Sequence, residues 1–315
     1  LFQVLLTILN FNMMSFNKYI LVGLVFLTLS SCEDNIDVEV NEGEIQLSID
    51  AFINNKAEVQ KITLLETKQF FSEDNQVIYK ADSVFVTDDL NNKYLFEDPD
   101  FDGVYEWEDT VLVHLGRTYS LTVKKGVNTF IAESEVNPVP PIDSINWQYI
   151  PAGLGAENGS YGVELVSRDL AGQVDYYKIE WAKNGNFVRG ISAINLSVDG
   201  SFSETGAQDS GLFIPPISTF PATDFEDPLI KGDIFTYELL SIDEATFNFW
   251  TEVANQKVNS AFGALFATPT SNVKSNIKSL GDKKNAVGWF SASMISSYSQ
   301  LIYDKPGERF SFDTN

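Results

Sequence analysis

Short runs of β-branched and aromatic residues, each ended by Asn, Asp or Gly, fill the chain from Glu44 onward and restrict it to a fold built mainly from strands. Glu44-Ile-Gln-Leu-Ser-Ile-Asp-Ala-Phe-Ile53 alternates at period two, the pattern of a strand with one buried face. Similar runs follow at residues 59–66, 83–87, 93–96, 104–107, 118–123 and 129–136. About seven strands in about 95 residues is the spacing of an immunoglobulin-like (carboxypeptidase-regulatory-like) β-sandwich, expected over residues 44–137.

Pro138-Val-Pro140-Pro141 interrupts this pattern. Proline cannot donate to a ladder and holds its predecessor extended, so residues 138–141 are read as a stiff linker between domains. Residues 142–315 are expected to form a β-rich domain, with strands at 142–150, 161–168, 176–182, 234–242, 285–294 and 299–303. Its one clear helix is expected at 243–260. Ser241-Ile-Asp-Glu244 reads as the capping box that opens it, and Phe247, Trp250, Ala254, Val258 and Ala261 recur at helical spacing to form its buried face. Residues 185–231 lack a clear period and are rich in Gly, Ser, Pro and Asp. A stretch that long is more often functional than ordinary.

A different pattern occupies the N-terminal end. Lys18 precedes an uncharged apolar run over residues 19–29, about half the length of a membrane-spanning helix. The run ends at Leu29-Ser-Ser-Cys32, which reads as a lipobox, where a signal peptide is removed and the new N-terminal cysteine is lipidated. Residues 1–31 are therefore expected to be a signal peptide, with translation starting at Met13 or Met14 and residues 1–13 a misannotated extension. The rival reading is a continuous membrane helix over residues 4–29, which Asn10, Asn12, Asn17 and Lys18 interrupt. Residues 32–43, acidic and without periodicity, are expected to form a lipidated tether.

Removing residues 1–31 removes only Lys18 among the charged residues, which leaves 20 Lys+Arg against 44 Asp+Glu, a net charge of 20 − 44 = −24. An acidic surface of this size argues against nucleic acid, whose phosphates require a basic face. Cys32 is the only cysteine, so a lipidated chain has none left for a disulfide or a thiolate nucleophile.

Asp98-Pro-Asp100-Phe-Asp102-Gly103 matches the start of a calcium loop, with Glu106 and Asp109 at its later ligand positions. A hard cation needs converging oxygens, and glycine permits the turn between them. The flanks read as strands, so the alternative is an acidic turn in which Gly103 supplies backbone freedom. His114 is the only histidine, which excludes a multi-histidine zinc site, and within Val111-Leu-Val-His-Leu115 it reads as a strand-edge residue. The chain contains no nucleophile elbow, phosphate-binding glycine loop or metalloprotease helix motif. Trp107, Trp147, Trp181, Trp250 and Trp289 could stack on a sugar or peptide, with core packing the default for each. The Phe and Pro residues of 185–231 mark that region as the first place to look for a binding surface.

In order along the chain stand Cys32-Glu-Asp34, Gly116-x-x-Tyr119-x-Leu121, Pro141-Ile-Asp-Ser-Ile145, Tyr176-Tyr177 and Phe225-x-Asp227 before Gly232. Ser241-Ile-Asp243, Thr268-Pro-x-x-Asn272 with Asn276, and Gly288-Trp-Phe-Ser-Ala292 follow. Together these resemble a family of Bacteroidota surface lipoproteins, the domain of unknown function 4249. The resemblance implies a lipid-anchored, cell-surface protein of the outer membrane, commonly encoded beside a TonB-dependent transporter, with no established activity. The expectation is thus a non-catalytic accessory or ligand-binding partner of such a transporter, with no cofactor unless calcium binds and a ligand the sequence does not name. The alternatives are a surface hydrolase acting on glycan or peptide through carboxylates, and a structural adhesion module.

Overall fold

The structure, a computed structural model, describes residues 45–68, 77–107, 111–152, 159–190, 193–201, 209–215, 217–220, 227–261, 273–281 and 286–303. Cys32, Asp109, Phe225 and the Thr268 to Asn272 motif lie outside them. So do the side chains of Val258 and Ala261.

The alternating runs become strands because each presents one apolar face. In β1 (Leu47–Asn54), Leu47, Ile49, Ala51 and Ile53 point inward. It is followed by β2 (Gln60–Glu66), β3 (Ser83–Asp88), β4 (Lys93–Phe96), β5 (Val104–Trp107), β6 (Thr118–Lys125) and β7 (Asn128–Glu135). Past the prolines come β8 (Ile142–Ile150), β9 (Ser160–Ser167), β10 (Tyr176–Lys183), β11 (Asn186–Phe187), β12 (Asn195–Val198), β13 (Thr219–Phe220) and β14 (Ile234–Ile242). Helix α1 (Glu244–Ala261) and strands β15 (Lys278–Leu280), β16 (Ala286–Ser293) and β17 (Ile295–Leu301) close the order.

Two sheets, β16-β1-β2-β5 and β15-β7-β6-β3-β4, enclose a first core that includes Ile49, Leu64, Val86, Leu121, Phe130 and Phe290. Two more, β13-β9-β8 and β11-β10-β14-β17 with β12 beside β10, enclose a second around Tyr177, Ile179, Phe213 and Phe235. The fold is thus mainly β and sandwich-like. The chain crosses between the two bodies more than once, since β15 and β16 return from the far end to pair with β7 and β1. Residues 44–315 accordingly form one compact unit.

The β1–β16 pair is the only parallel one among the described strands, and it brings the backbones unusually close at Gly288. There φ is 99°, and a Cβ would lie 1.9 Å from the Ile49 carbonyl oxygen. Only glycine fits both constraints.

Three local expectations are corrected. Residues 111–115 do not form a strand. Tyr119, wholly buried at the start of β6, instead folds that segment over its hydroxyl, which donates to Leu112 O at 2.9 Å and accepts from His114 N at 3.0 Å. This is a tyrosine corner, and it leaves the His114 side chain exposed. Nor does Ser241 cap α1. Asp243 does, its Oδ1 accepting from Thr246 N at 2.6 Å, and a side-chain cap must sit one residue before the first helical turn. Ser241 remains in β14 and donates to Asn137 O at 2.7 Å while accepting from Met294 N at 3.2 Å, tying the residue just before the linker to the β16–β17 junction. Within residues 185–231, Phe213 is buried against Tyr177 with ring centroids 5.4 Å apart, so it belongs to the core and not to a surface patch.

Candidate functional site

Because strand side chains alternate, the outer face of β1 carries Asp50, Phe52 and Asn54 away from the first core. Helix α1 packs on this face. The Phe52 and Trp250 rings lie 5.2 Å apart, Phe249 stacks on Trp289 at 4.6 Å, and Trp289 Nε1 donates to Thr246 Oγ1 at 2.9 Å. On its other side α1 meets β10, where Phe247 packs on Tyr176 at 5.1 Å. The helix is therefore wedged between the two β bodies. Its buried face includes Thr246 and Phe249, which a 3.6-residue apolar count misses because two flanking sheets bury more than one stripe.

Beside this wedge opens a cleft of about 480 Å³ lined by β1, β10, β14, the β1–β2 connection and Trp250. Lys178 Nζ sits 4.2 Å from the centroid of the Trp250 ring and 2.5 Å from Glu180 Oε1. Arg189 reaches the other Glu180 oxygen at 3.3 Å, and its guanidinium lies 5.2 Å from the Phe187 ring. Lys56 bridges Glu58 at 3.3 Å and Glu238 at 3.1 Å. Three cations and four carboxylates thus line one concave surface, nearly balanced in charge despite the acidic chain.

Asp50 is the exception in this network. Its carboxyl has no hydrogen-bond donor and no ion pair among the described residues, although its surface is open to solvent within the cleft. Burial pushes it above the ordinary carboxylate value, and the charge of Lys178 opposes that rise. Trp250 Nε1 is likewise buried without a partner. Charged pairs, an aromatic wall and an accessible carboxyl with unused capacity are what a site for a small polar ligand needs.

The calcium-loop residues occupy a different place, between β4 and β5 at the edge of the first sandwich. Carboxylate oxygens of Asp98, Asp100 and Asp102 lie within 4.8 Å of one another. Asp98 accepts from Asp102 N and Gly103 N, both at 3.2 Å, and Asp102 accepts from Val104 N at 2.8 Å, so two of the three already hold the turn. Glu106 does not join them. It pairs with Lys61 across β2–β5 at 2.7 Å. Gly103 has φ 87°, and a Cβ there would lie 2.9 Å from both Ile78 Cγ2 and Leu64 O, which is why the turn admits no side chain there.

The other tryptophans sit in packing positions. Trp147 and Trp289 are buried, Trp181 stacks on Phe235 at 5.9 Å, and Trp107 meets Tyr94 edge-on at 5.5 Å. Of the five, only Trp250 faces the cleft. Phe187 and Arg189 are the contribution of residues 185–231 to it.

A family model described as "Domain of unknown function (DUF4249)" matches residues 33–299. The chain belongs to the DUF4249 family. No curated protein matches it.

In this DUF4249 chain the residues that carry the resemblance are mostly joints. Tyr119 forms the corner, Ser241 holds Asn137 at the entry to the linker, Trp289 docks α1, and Gly288 admits β16 beside β1. Asn276 adds a two-way clasp, donating to Phe290 O at 2.8 Å and accepting from Phe290 N at 3.0 Å. None of these side chains lines the cleft. Among the described residues of the DUF4249 chain, no helix is long and apolar enough to cross a membrane.

Proposed function

We propose that this DUF4249 protein is a lipid-anchored outer-membrane lipoprotein facing the cell surface, acting as a ligand-binding accessory of a TonB-dependent transporter. The observation that carries the binding role is the charge-balanced cleft beside Trp250, with the unpaired Asp50 carboxyl at its wall. Anchoring rests on the lipobox at Cys32, and the transporter partnership on what the family resemblance implies. Calcium at Asp98, Asp100 and Asp102 is a structural accessory in this reading, clamping the β4–β5 turn from outside.

Affinity purification from outer membranes with a tag after Asn315 tests the partnership. The expected result is co-purification of a transporter, and its absence overturns that part. Trp250→Ala is expected to leave the transporter in the complex while abolishing ligand retention. An unpaired carboxyl with a raised pKa favours a second reading, a surface hydrolase in which Asp50 donates a proton. Turnover of a glycan or peptide library that Asp50→Asn abolishes would establish it in place of the first.

A further inference from the structure

The cations that line the cleft beside Trp250 are already matched by carboxylates. Lys178 and Arg189 each reach an oxygen of Glu180, at 2.5 and 3.3 Å, and Lys56 holds Glu58 at 3.3 Å and Glu238 at 3.1 Å. Glu58 and Glu238 accept further hydrogen bonds, from Asn54 Nδ2 at 3.0 Å and from Ser297 Oγ at 3.3 Å. The Asp50 carboxyl alone among these charged groups has neither a hydrogen-bond donor nor an ion pair among the described residues, and Asp50 is exposed within the cleft. One accessible negative charge is therefore left over on a surface where every positive charge is taken.

The aromatic rings of the cleft favour the same sign of ligand. Lys178 Nζ lies 4.2 Å from the Trp250 centroid, and Lys56 and Arg189 lie 5.6 and 5.2 Å from the Phe187 centroid. Ring faces attract cations through their quadrupole, so they add to the preference that the spare carboxylate sets. Leu240 and Ile295, both half-buried, supply apolar surface beside them. An anion would meet no cation free of a carboxylate, and it would approach a chain of net charge −23. The same field draws a cation in.

We infer that the cleft takes a small organic amine, bound as its ammonium ion, an assignment that rests on the binding role proposed for the cleft. The ammonium donates to Asp50 in a charge-assisted hydrogen bond, and the apolar body of the ligand lies against Phe52 and Trp250, whose centroids are 5.2 Å apart. A volume of about 480 Å³ suits a small molecule. Burial raises the pKa of the Asp50 carboxyl and Lys178 opposes the rise. A bound ammonium acts in the same direction as Lys178 and holds the carboxylate form.

Probes that share one phenyl body and differ in the polar group test this: phenethylamine, phenethyl alcohol and phenylpropionate, each titrated into the full chain by calorimetry. The amine is expected to bind about tenfold more tightly than the alcohol, the margin of a hydrogen bond between charged groups, and the carboxylate to bind most weakly. Asp50→Asn is expected to erase the margin of amine over alcohol. Because the Asp50 carboxyl holds no other group in place, that substitution is expected to leave the fold intact. Trp250→Ala is expected to remove binding of amine and alcohol together. Alcohol or carboxylate binding as tight as that of the amine, lost in Trp250→Ala, overturns the cationic assignment and leaves the cleft as a binding site. An amine margin that survives Asp50→Asn does the same. Binding of none of the probes, or binding that Trp250→Ala leaves intact, overturns the assignment and the cleft's binding role together.

Discussion

The Tyr119 hydroxyl donates to one backbone group and accepts from another, so removing it orphans Leu112 O and His114 N together. Tyr119→Phe is expected to cost about 1–3 kcal/mol at neutral pH, the usual penalty for leaving buried polar groups unpaired. Burial pushes its phenol up to about 12, with the His114 N–H acting in the opposite direction. Between the ordinary tyrosine value of about 10 and that raised value, the folded state keeps a proton the unfolded chain releases. This group's contribution is therefore complete below about pH 10 and is lost as pH rises towards about 12. Denaturant titrations at neutral and alkaline pH should show a shallower alkaline decline in Tyr119→Phe, and parallel declines would contradict the assignment. Gly288 makes a sharper case. An alanine methyl would meet Ile49 O at 1.9 Å and also has to adopt φ 99°, so Gly288→Ala is expected to exceed the about 0.5–3 kcal/mol of ordinary substitutions. At Gly116, where φ is 74° but nothing lies within 4 Å of a Cβ, alanine should cost only about 1–2 kcal/mol of backbone strain.

Helix α1 depends on its two docking faces more than on its own composition. Its first turn has Glu244 near the N-terminus and Asp243 as cap, while its last turn has no basic residue to complement the dipole. Thr246 is wholly buried and accepts from Trp289 Nε1, so Thr246→Val keeps the shape but orphans the indole N–H. The expected loss is about 1–3 kcal/mol. Because α1 carries Trp250, the same substitution should weaken ligand retention in the cleft, whereas Asp243→Ala should cost about 0.5–2 kcal/mol through the cap alone. Thermal melts and binding by the two variants separate these effects. Equal loss of binding at equal loss of stability would show that α1 does not position the cleft.

Across the whole molecule, the strand that completes the first sheet comes from the far end of the chain. β16 lies beside β1 over eight residue pairs, and Ala292 N donates to Ser134 Oγ at 3.0 Å in the opposing sheet's β7. A fragment of residues 44–137 lacks β15 and β16 and exposes the β1 edge and the face that Phe290 and Ala292 cover. It is expected to remain unfolded or to aggregate, because an unpaired apolar strand edge invites other strands. Residues 44–315 are expected to unfold in a single transition followed by circular dichroism. Two well-separated transitions, or a folded 44–137 fragment, would refute the interlocking.

Strand positions were legible because alternation is local. Residues 142–150, 93–96, 104–107 and 234–242 read from the sequence as strands are strands, and the helix boundaries moved by one residue at each end. The Asp98 turn was legible for the same reason, since its Asp and Gly spacing acts within six residues. The cleft was not legible, because Asp50, Lys178, Glu238 and Trp250 lie on four elements whose approach is set by long-range packing. Residues 111–115 were misread as strand because the buried Tyr119 hydroxyl that folds them lies outside the segment, and the helix cap was misread because Ser241 and Asp243 both offered a capping side chain and tertiary contacts drew Ser241 into β14. The sequence by itself determined which segments are strands and which faces they bury, since side-chain alternation is a property of each segment. Only the tertiary structure decided that β16 pairs with β1 and that α1 is wedged between two β bodies. That pairing joins residues about 240 apart along the chain, where burial of shared surface sets the partner and no local pattern records it.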